Sequence, residues 1–475
     1  MAIQCDICII GGGPAGSVLA SRLAAWGWNV IVVERAAFPR RHLGESLSPG
    51  VLPLLETIGA ADAIESAGFT RVRRVSVDWD VATERDDPAG RGLLVDRGRF
   101  DRLLLDHARG RGARVLQPAR AGRRRWTGSA WEVEVTLGTR PMTLQATFLA
   151  DASGRGGITG SRRPTGARTV ALHGYWEGKG LPSHPKIEAG PNRWHWGVPL
   201  PDGSYNTLVF LDPADLKTMS GTLGEKFHTL LAGSGLIPRG AEAFLSGPVR
   251  ACDATPYLDE ACVSDAFIRV GDAALALDPL SSSGVQKAIQ SALSGSVVVN
   301  TLLRRPESAE LARQYFLHSL SEASARHQEW AGAYYGLVAC RRADPFWQKR
   351  ATGVASGPLS PEMGEGIAGL TPETRLRLSP DVRIRQVPCV GDSFIEARPA
   401  VCSTALGTPV AYLGGVELVP LICGVRDGMT VRELVTNWSR DMAPARGMES
   451  LRWMVSRGLL IAGAARQAAE KGGGS

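Results

Sequence analysis

Long apolar runs, metal-spaced cysteines and internal repeats are all missing from this 475-residue chain. The longest apolar stretch, 410–425, carries Glu417 and the pair Gly414-Gly415 and is too short to span a bilayer, so no membrane partner is expected. No secretory leader is expected either, because the first apolar run reads as the opening strand of a folded domain, and a cytoplasmic location is the default. The eight cysteines show no metal spacing. The one C-x-x-C, Cys5 to Cys8, lies on a strand, where an odd spacing sends the two side chains to opposite faces. That makes a poor redox pair and a poor ligand pair, so the cysteines are assigned to packing and no metal is expected. Lysine is also scarce, none preceding Lys179, and the net charge of +7 comes mainly from arginine. Arg71, Arg73, Arg74 and Arg123-Arg124-Arg125 either face an acidic partner or form a scattered solvated surface.

What is present is ordinary in bulk: 44% hydrophobic and 21% charged residues, as in soluble globular proteins, and enough length for two or three domains. The motifs are more specific. Ile7-Cys8-Ile9-Ile10 runs into Gly11-Gly12-Gly13-Pro14-Ala15-Gly16, and Val30-Ile31-Val32-Val33 then ends in Glu34. A strand, a glycine turn, a helix and a second strand closed by an acidic residue make a dinucleotide-binding unit. A second signature stands far downstream: Arg269-Val270-Gly271-Asp272-Ala273, Asp278-Pro279 and Ser281-Ser282-Ser283-Gly284. Together the two point to FAD.

The fold class expected is α/β, with a Rossmann-type FAD-binding domain, an inserted antiparallel substrate sheet and a small C-terminal domain. Residues 1–158 and 262–305 form the discontinuous FAD-binding part. Its first helix, 14–26, places Val18, Leu19, Leu23 and Trp26 at helical spacing behind a proline in the first turn. Residues 159–261 turn to short alternating runs broken by Gly, Pro and Asn, read as the antiparallel sheet. Residues 306–370 are helical and end in a Gly/Pro-rich linker over 352–369. The unit over 375–465 has strands at 382–387 and 394–401 and an apolar helix within 416–425. Thr430 caps a helix at 431–438, a last helix occupies 448–460, and 466–475 is a tail.

Each glycine of the first turn has its own task. Gly11 permits the tight turn, Gly13 admits the pyrophosphate, and Gly16 allows close helix–strand packing. The helix N-terminus then offers N–H groups to the phosphates, and Glu34 accepts the adenosine ribose hydroxyls. Asp272 is placed for a ribityl hydroxyl, and Ser283-Gly284-Val285 opens a helix whose amides face the flavin's N1–C2=O edge. Arg97 is either a phosphate contact or a surface ion pair. With no second glycine motif after a strand, no NAD(P)H domain is expected. Reducing equivalents then come from transiently bound NAD(P)H or as reduced flavin from a separate reductase.

Gly44-Glu45-Ser46-Leu47 with Pro49-Gly50, the segment Arg97-x-x-Phe100-Asp101 and the 271–284 block resemble the flavin-dependent halogenase and group A monooxygenase superfamily. Trp194-His195-Trp196-Gly197-Val198-Pro199 is similar to the W-x-W-x-I-P motif of its halogenases, with valine for isoleucine. The resemblance covers roughly residues 1–340. It implies that Glu45, Ser46 and Pro279 belong to the cofactor site and that reduced FAD and O2 give an electrophilic flavin C4a-hydroperoxide. It also implies a test. Halogenases carry a lysine in a Gly-Phe-x-x-Lys segment, and here Gly68-Phe69-Thr70-Arg71 is followed by Val72. Arginine does not replace it, because guanidinium stays protonated and is a poor nucleophile. Direct oxygen transfer is therefore expected ahead of halogenation. Trp194 and Trp196 share one sheet face and are either core or an aromatic wall of a substrate chamber lined also by Val72. His173 and His195 are either acid–base residues or structural.

The segment 418–460 resembles small winged-helix peptide-binding domains found beside peptide-modifying enzymes; a DNA-binding winged helix or a structural cap reads similarly. No Arg/Lys-dense recognition helix stands out, so nucleic acid is not expected. The combination is similar to the flavoprotein monooxygenases of quinohemoprotein amine dehydrogenase biogenesis. That implies hydroxylation of a tryptophan in a small dehydrogenase subunit, toward a tryptophylquinone. A small or carrier-tethered aromatic metabolite, hydroxylated or in second place halogenated, is the alternative.

Overall fold

The computed structural model describes residues 2–79, 82–87, 89–90, 92–157, 162–352 and 370–462, and the chain divides into two compact units at 355/356. In the first unit, the strand Ile3–Ile10 is buried along its C-terminal half and pairs in parallel with Val30–Val33 on one side and Arg140–Asp151 on the other. Arg114–Leu116 and Phe267–Arg269 extend this parallel core outward. Buried on both faces, such strands read as continuous apolar runs. The helix Pro14–Ala25 packs on the sheet beside Arg97–Gly110 and Gly284–Arg304, so the three helices and the strand ends converge on the glycine turn.

A second sheet is ordered Glu242–Leu245, Val170–Lys179, Tyr205–Leu211, Arg193–Pro199, Lys186–Gly190, Arg74–Asp78, Ala82–Asp86. The last two strands come from far earlier in the chain, Lys186 to Glu188 pairing in parallel with Ser76 to Asp78. Arg74–Asp78 alternates Val75 and Val77 with polar residues, whereas Ala82–Asp86 is polar and gives no such signal; their pairing covers a sheet edge that would otherwise be open. The helix Ala309–Ala339 and the short turn of helix Pro345–Gln348 cover one face, where Trp79, Trp194, Phe210, Tyr335, Phe346 and Trp347 form a buried aromatic cluster. On the other face Phe227, Leu230 and Leu231 of the helix Leu223–Leu231 pack against Leu172, Tyr205 and Val209.

In the second unit, Arg375–Leu378 lies between Met429–Thr430 and Leu460–Ala462 in a three-stranded antiparallel sheet. The helices Leu418–Cys423, Val431–Trp438 and Pro444–Ser456 bury Leu418, Leu434, Leu451 and Met454 against Leu376. Helix, strand, two helices and strand follow one another as in a winged helix. The central strand, however, is supplied from the N-terminal side, ahead of the hairpin Arg383–Val390/Ile395–Cys402. Thr430 caps its helix as expected, with Glu433 completing a capping box. The last helix differs from expectation. It starts at Pro444 and ends by Ser456, because Gly458 turns at φ +65 and releases Leu460 to pair with Leu378. Of the linker expected over 352–369 all but Thr352, and the whole of the tail expected over 466–475, lie outside the described residues. Cys5 and Cys8 are buried free thiols on the first strand, Cys5 pushed up to about 12 by burial and the neighbouring Asp6 charge. Among the described residues no helix is long and apolar enough to cross a membrane, and no acidic, histidine and cysteine groups cluster as metal ligands.

Candidate functional site: a dinucleotide cradle beside an aromatic sheet face

The glycine turn is built by backbone proximity. Gly11 has φ +108, and a Cβ there would stand 2.4 Å from the Ala152 carbonyl oxygen. A Cβ on Gly16 would stand 1.9 Å from the Gly11 carbonyl oxygen, so the helix packs on the turn itself. Gly13 differs: a Cβ would meet nothing nearer than an Arg40 guanidinium nitrogen at 3.9 Å. The N-cap of the helix Pro14–Ala25 is this glycine, with no side-chain cap and no acidic residue in the first turn. The space beside Gly13, the helix amides and Arg40 together suit a diphosphate. Glu34 is buried and accepts the Gly12 N–H at 2.7 Å and the Ala36 N–H at 2.8 Å, one on each oxygen. A carboxylate accepts about four hydrogen bonds, so it still has room for a ribose diol. These residues fit the adenosine diphosphate part of FAD.

Arg97 is buried rather than superficial, gripping Asp101 at 3.0 and 3.2 Å. Its other nitrogen donates to the Leu43 and Gly44 carbonyls, and Arg40 reaches the same Asp101 at 3.2 Å. The ion pair thereby fixes the turn that carries Glu45 and Ser46. Glu45 points into the protein. It accepts the Tyr175 hydroxyl at 2.8 Å and the Asn206 amide at 3.1 Å, tying the turn to the second sheet. Burial pushes its carboxyl up, against the Tyr175 hydrogen bond. Ser46 pairs with Leu94 in a small sheet that also holds Val72 against Gly92. Ser48 donates to Gln286, and Val285 stands across from Gly44, so this turn meets the start of the helix Gly284–Arg304.

That helix is uncapped at Ser283 and has no acid in its first turn. Just before it, Pro279 starts a short turn capped by Asp278, whose carboxylate accepts Leu280 N–H at 3.0 Å and the Tyr335 hydroxyl at 3.1 Å. Burial pushes the Asp278 carboxyl up. Asp272 accepts an ammonium proton from Lys287 at 2.8 Å and lies 3.7 Å from Arg155. Sequence reading missed Arg40, Arg155, Tyr175, Asn206, Tyr335 and Lys287. Arg155, in its Gly-rich turn after a strand, and Lys287, two residues past the turn 283–285, had local cues; the others reach the site from distant elements.

Strand alternation divides the remaining candidates. His173 and Tyr175 share a face with Trp194, Trp196, Asn206 and Phe210, the face that meets Glu45 and Leu280. Trp194 is only 1% exposed and stacks on Phe210 at 3.8 Å, so of the two expected readings it takes the core one. Trp196 is half-buried. His173 makes an edge contact with Tyr175 and is held below its ordinary pKa by burial and by Arg250. His195 points to the opposite face, hydrogen-bonded to the Leu230 carbonyl at 3.0 Å, and burial lowers it to about 4. The fold brings His173 toward the cradle and leaves His195 on the far side.

Comparison with known proteins agrees with this geometry. The FAD binding domain family matches residues 4–173. A tryptophan 2-halogenase of Chondromyces crocatus is 30% identical over 370 residues, covering 72% of this chain and 69% of the halogenase. The solved structure of QhpG, a peptidyl tryptophan dihydroxylase essential for tryptophylquinone cofactor biogenesis, is 29% identical. It superposes with a TM-score of 0.74 over 96% of this chain and 100% of QhpG. The flavin-dependent halogenase CmlS shares the fold, with a TM-score of 0.80 at 22% identity over 98% of this chain and 97% of CmlS.

Proposed function

As a member of the flavin-dependent halogenase and monooxygenase superfamily this chain is an FAD-dependent oxidoreductase, and we propose that it hydroxylates a tryptophan side chain within a polypeptide. The observation that carries this reading is Val72, the apolar residue that ends the segment Gly68-Phe69-Thr70-Arg71-Val72, where the resemblance to halogenases implies a lysine. Lys287, the buried lysine of the cradle, is already engaged by Asp272 and the Leu275 carbonyl. The polypeptide part is supported by the match to QhpG along nearly the whole of both chains, the winged-helix-like unit included. A small dehydrogenase subunit destined to carry a tryptophylquinone is the substrate proposed. The protein acts in the cytoplasm, with electrons supplied by NAD(P)H or by a separate flavin reductase.

When bound and reduced, FAD supplies with O2 an electrophilic oxygen. The chain's own residues have three tasks. Gly11, Gly13, Gly16, Glu34 and Asp272 would hold the cofactor, and Ser46, Pro279 and the turn 283–285 would serve its flavin end. Trp196, half-buried on the face that Trp194 and Phe210 back from the core, is the aromatic side chain available to orient an indole and exclude water, and an electron-rich ring so positioned needs no prior deprotonation. His173, kept neutral by burial, is available to take up the proton released when the ring regains aromaticity. Incubation of reduced protein and O2 with a tryptophan-containing polypeptide or with free tryptophan tests the reading. Oxygen added to the polypeptide alone is expected; equal conversion of the free amino acid would overturn it.

Halogenation of a free or carrier-tethered aromatic is the second reading, favoured by the 30% identity to a tryptophan 2-halogenase.

A further inference from the structure

We propose that Lys287 is a cofactor-anchoring residue, which from the first turn of the helix Gly284–Arg304 holds the Asp272 carboxylate in place for the sugar-alcohol chain of FAD. The proposal rests on Asp272 being a cofactor ligand. The pair is asymmetric in a way that a structural ion pair need not be. The Lys287 side chain is 6% exposed and that of Asp272 is 35% exposed, so the ammonium lies behind the carboxylate and the carboxylate faces outward. Lys287 spends one hydrogen bond on Asp272 Oδ1 and another on the Leu275 carbonyl. Oδ2 is left on the open side, 3.7 Å from Arg155.

The backbone around Asp272 is fixed independently. Gly271 turns at φ +64 and donates its N–H to Ser291 on the same helix at 2.8 Å, and the Asp272 carbonyl accepts the Tyr257 hydroxyl at 2.6 Å. The turn therefore does not need the lysine to keep its shape. The other buried positions of the helix are apolar, as Ile289, Ala292, Val298 and Leu302, or neutral polar, as Ser291, Ser296, Asn300 and Thr301, so Lys287 is the one buried charge on it, and an apolar side chain there would avoid burying that charge. What the lysine adds is electrostatic.

The charged and titratable groups facing Asp272 are Lys287 on the helix, Arg155 on the turn Gly154–Gly156, His42 on the loop before Gly44, and Tyr257 on the strand Tyr257–Asp259. Enclosure alone would raise the Asp272 carboxyl, but Lys287 and Arg155 outweigh it and hold the group below the ordinary carboxylate range. An Asp held down in this way stays ionised, and so stays a hydrogen-bond acceptor for hydroxyls, until the pH falls below the ordinary range. Without Lys287 its protonation, and the loss of that acceptor, moves to higher pH.

The measurement is the dissociation constant of FAD for the full chain between pH 8 and pH 5, in wild type, Lys287→Met, Lys287→Gln, Lys287→Arg and Asp272→Asn. Wild type is expected to bind FAD almost independently of pH over this window. Lys287→Met and Lys287→Gln should bind at least about tenfold more weakly at pH 5 than at pH 8, with Lys287→Arg restoring the flat profile. In an Asp272→Asn background the change at 287 should add nothing. Neutral variants that keep the flat profile while Asp272→Asn releases FAD would refute the role of Lys287. An Asp272→Asn variant that binds FAD like wild type would instead refute the assignment of Asp272. Lys287→Gln, which keeps a polar group over Leu275, reads the same effect where the methionine variant does not fold.

Discussion

The glycine cradle and the second sheet are shaped by opposite means. In the cradle the work is done by main chain. Gly11, Gly13 and Gly16 matter because of what they lack, and the groups offered are amides at helix starts. In the sheet the work is done by side chains whose meaning depends on which way they point. Trp194 and His195 are neighbours in sequence, yet one enters the aromatic cluster above the cradle and the other bonds the Leu230 carbonyl behind it. A backbone site tolerates almost no side-chain change, whereas a sheet face tolerates change graded by depth.

The largest expected effect lies in the cradle. Gly16→Val would force methyl groups into the Gly11 carbonyl, main chain against main chain, and is expected to abolish FAD retention, read as flavin absorbance per chain. Retention of stoichiometric flavin would break the contrast at once. Next comes Trp194→Ala, which empties a fully buried, stacked position and is expected to cost about 3–5 kcal/mol in chemical denaturation, with FAD affinity changed little.

The two histidines sharpen the comparison further. His173→Gln should lower product formation by about a hundredfold while leaving the melting temperature nearly unchanged. His195→Gln should do the reverse, with product formation per folded chain kept. A histidine depressed to about 4 contributes stability that is present above the ordinary imidazole value and is lost as pH falls toward 4. The acid-side decline of the wild-type melting temperature should therefore flatten in His195→Gln. The smallest effect is at Glu45, the link between the two regions. A carboxyl raised by burial favours folding below the ordinary carboxylate range, and that contribution fades as pH rises through the folded-state value. Glu45→Gln should accordingly gain on wild type as pH rises from 4 to 8, by on the order of 1 kcal/mol in urea denaturation.

The same contrast explains what sequence reading recovered. The first helix, the capped helix after Thr430 and the strand ending at Asp151 were legible because each is specified locally, by period, cap or apolar run. The cofactor glycines were legible because only glycine meets their steric demand. The face on which a strand residue points is not local: it was written into the alternation of Trp194, His195 and Trp196, but which face met the cradle depended on Tyr175 and Asn206 reaching Glu45 across more than a hundred residues. Arg97 pairs inward because Asp101, one helical turn on, lies beneath it; the charge pattern alone left its surface reading open. The strands Arg74–Asp78 and Ala82–Asp86 went unrecognised: the first alternates Val75 and Val77 over only five residues in an arginine-rich stretch, the second is polar throughout its last four, and their partner edge at Lys186–Gly190 lies more than a hundred residues on.

The proposal that oxygen is transferred to the substrate directly rests on Val72 standing where the halogenase resemblance implies a lysine. It is tested most directly by mass spectrometry of a tryptophan-containing polypeptide after incubation with reduced protein, O2 and excess bromide. The account predicts a product heavier by oxygen, unchanged in mass and yield by bromide; a brominated polypeptide or brominated tryptophan would contradict it.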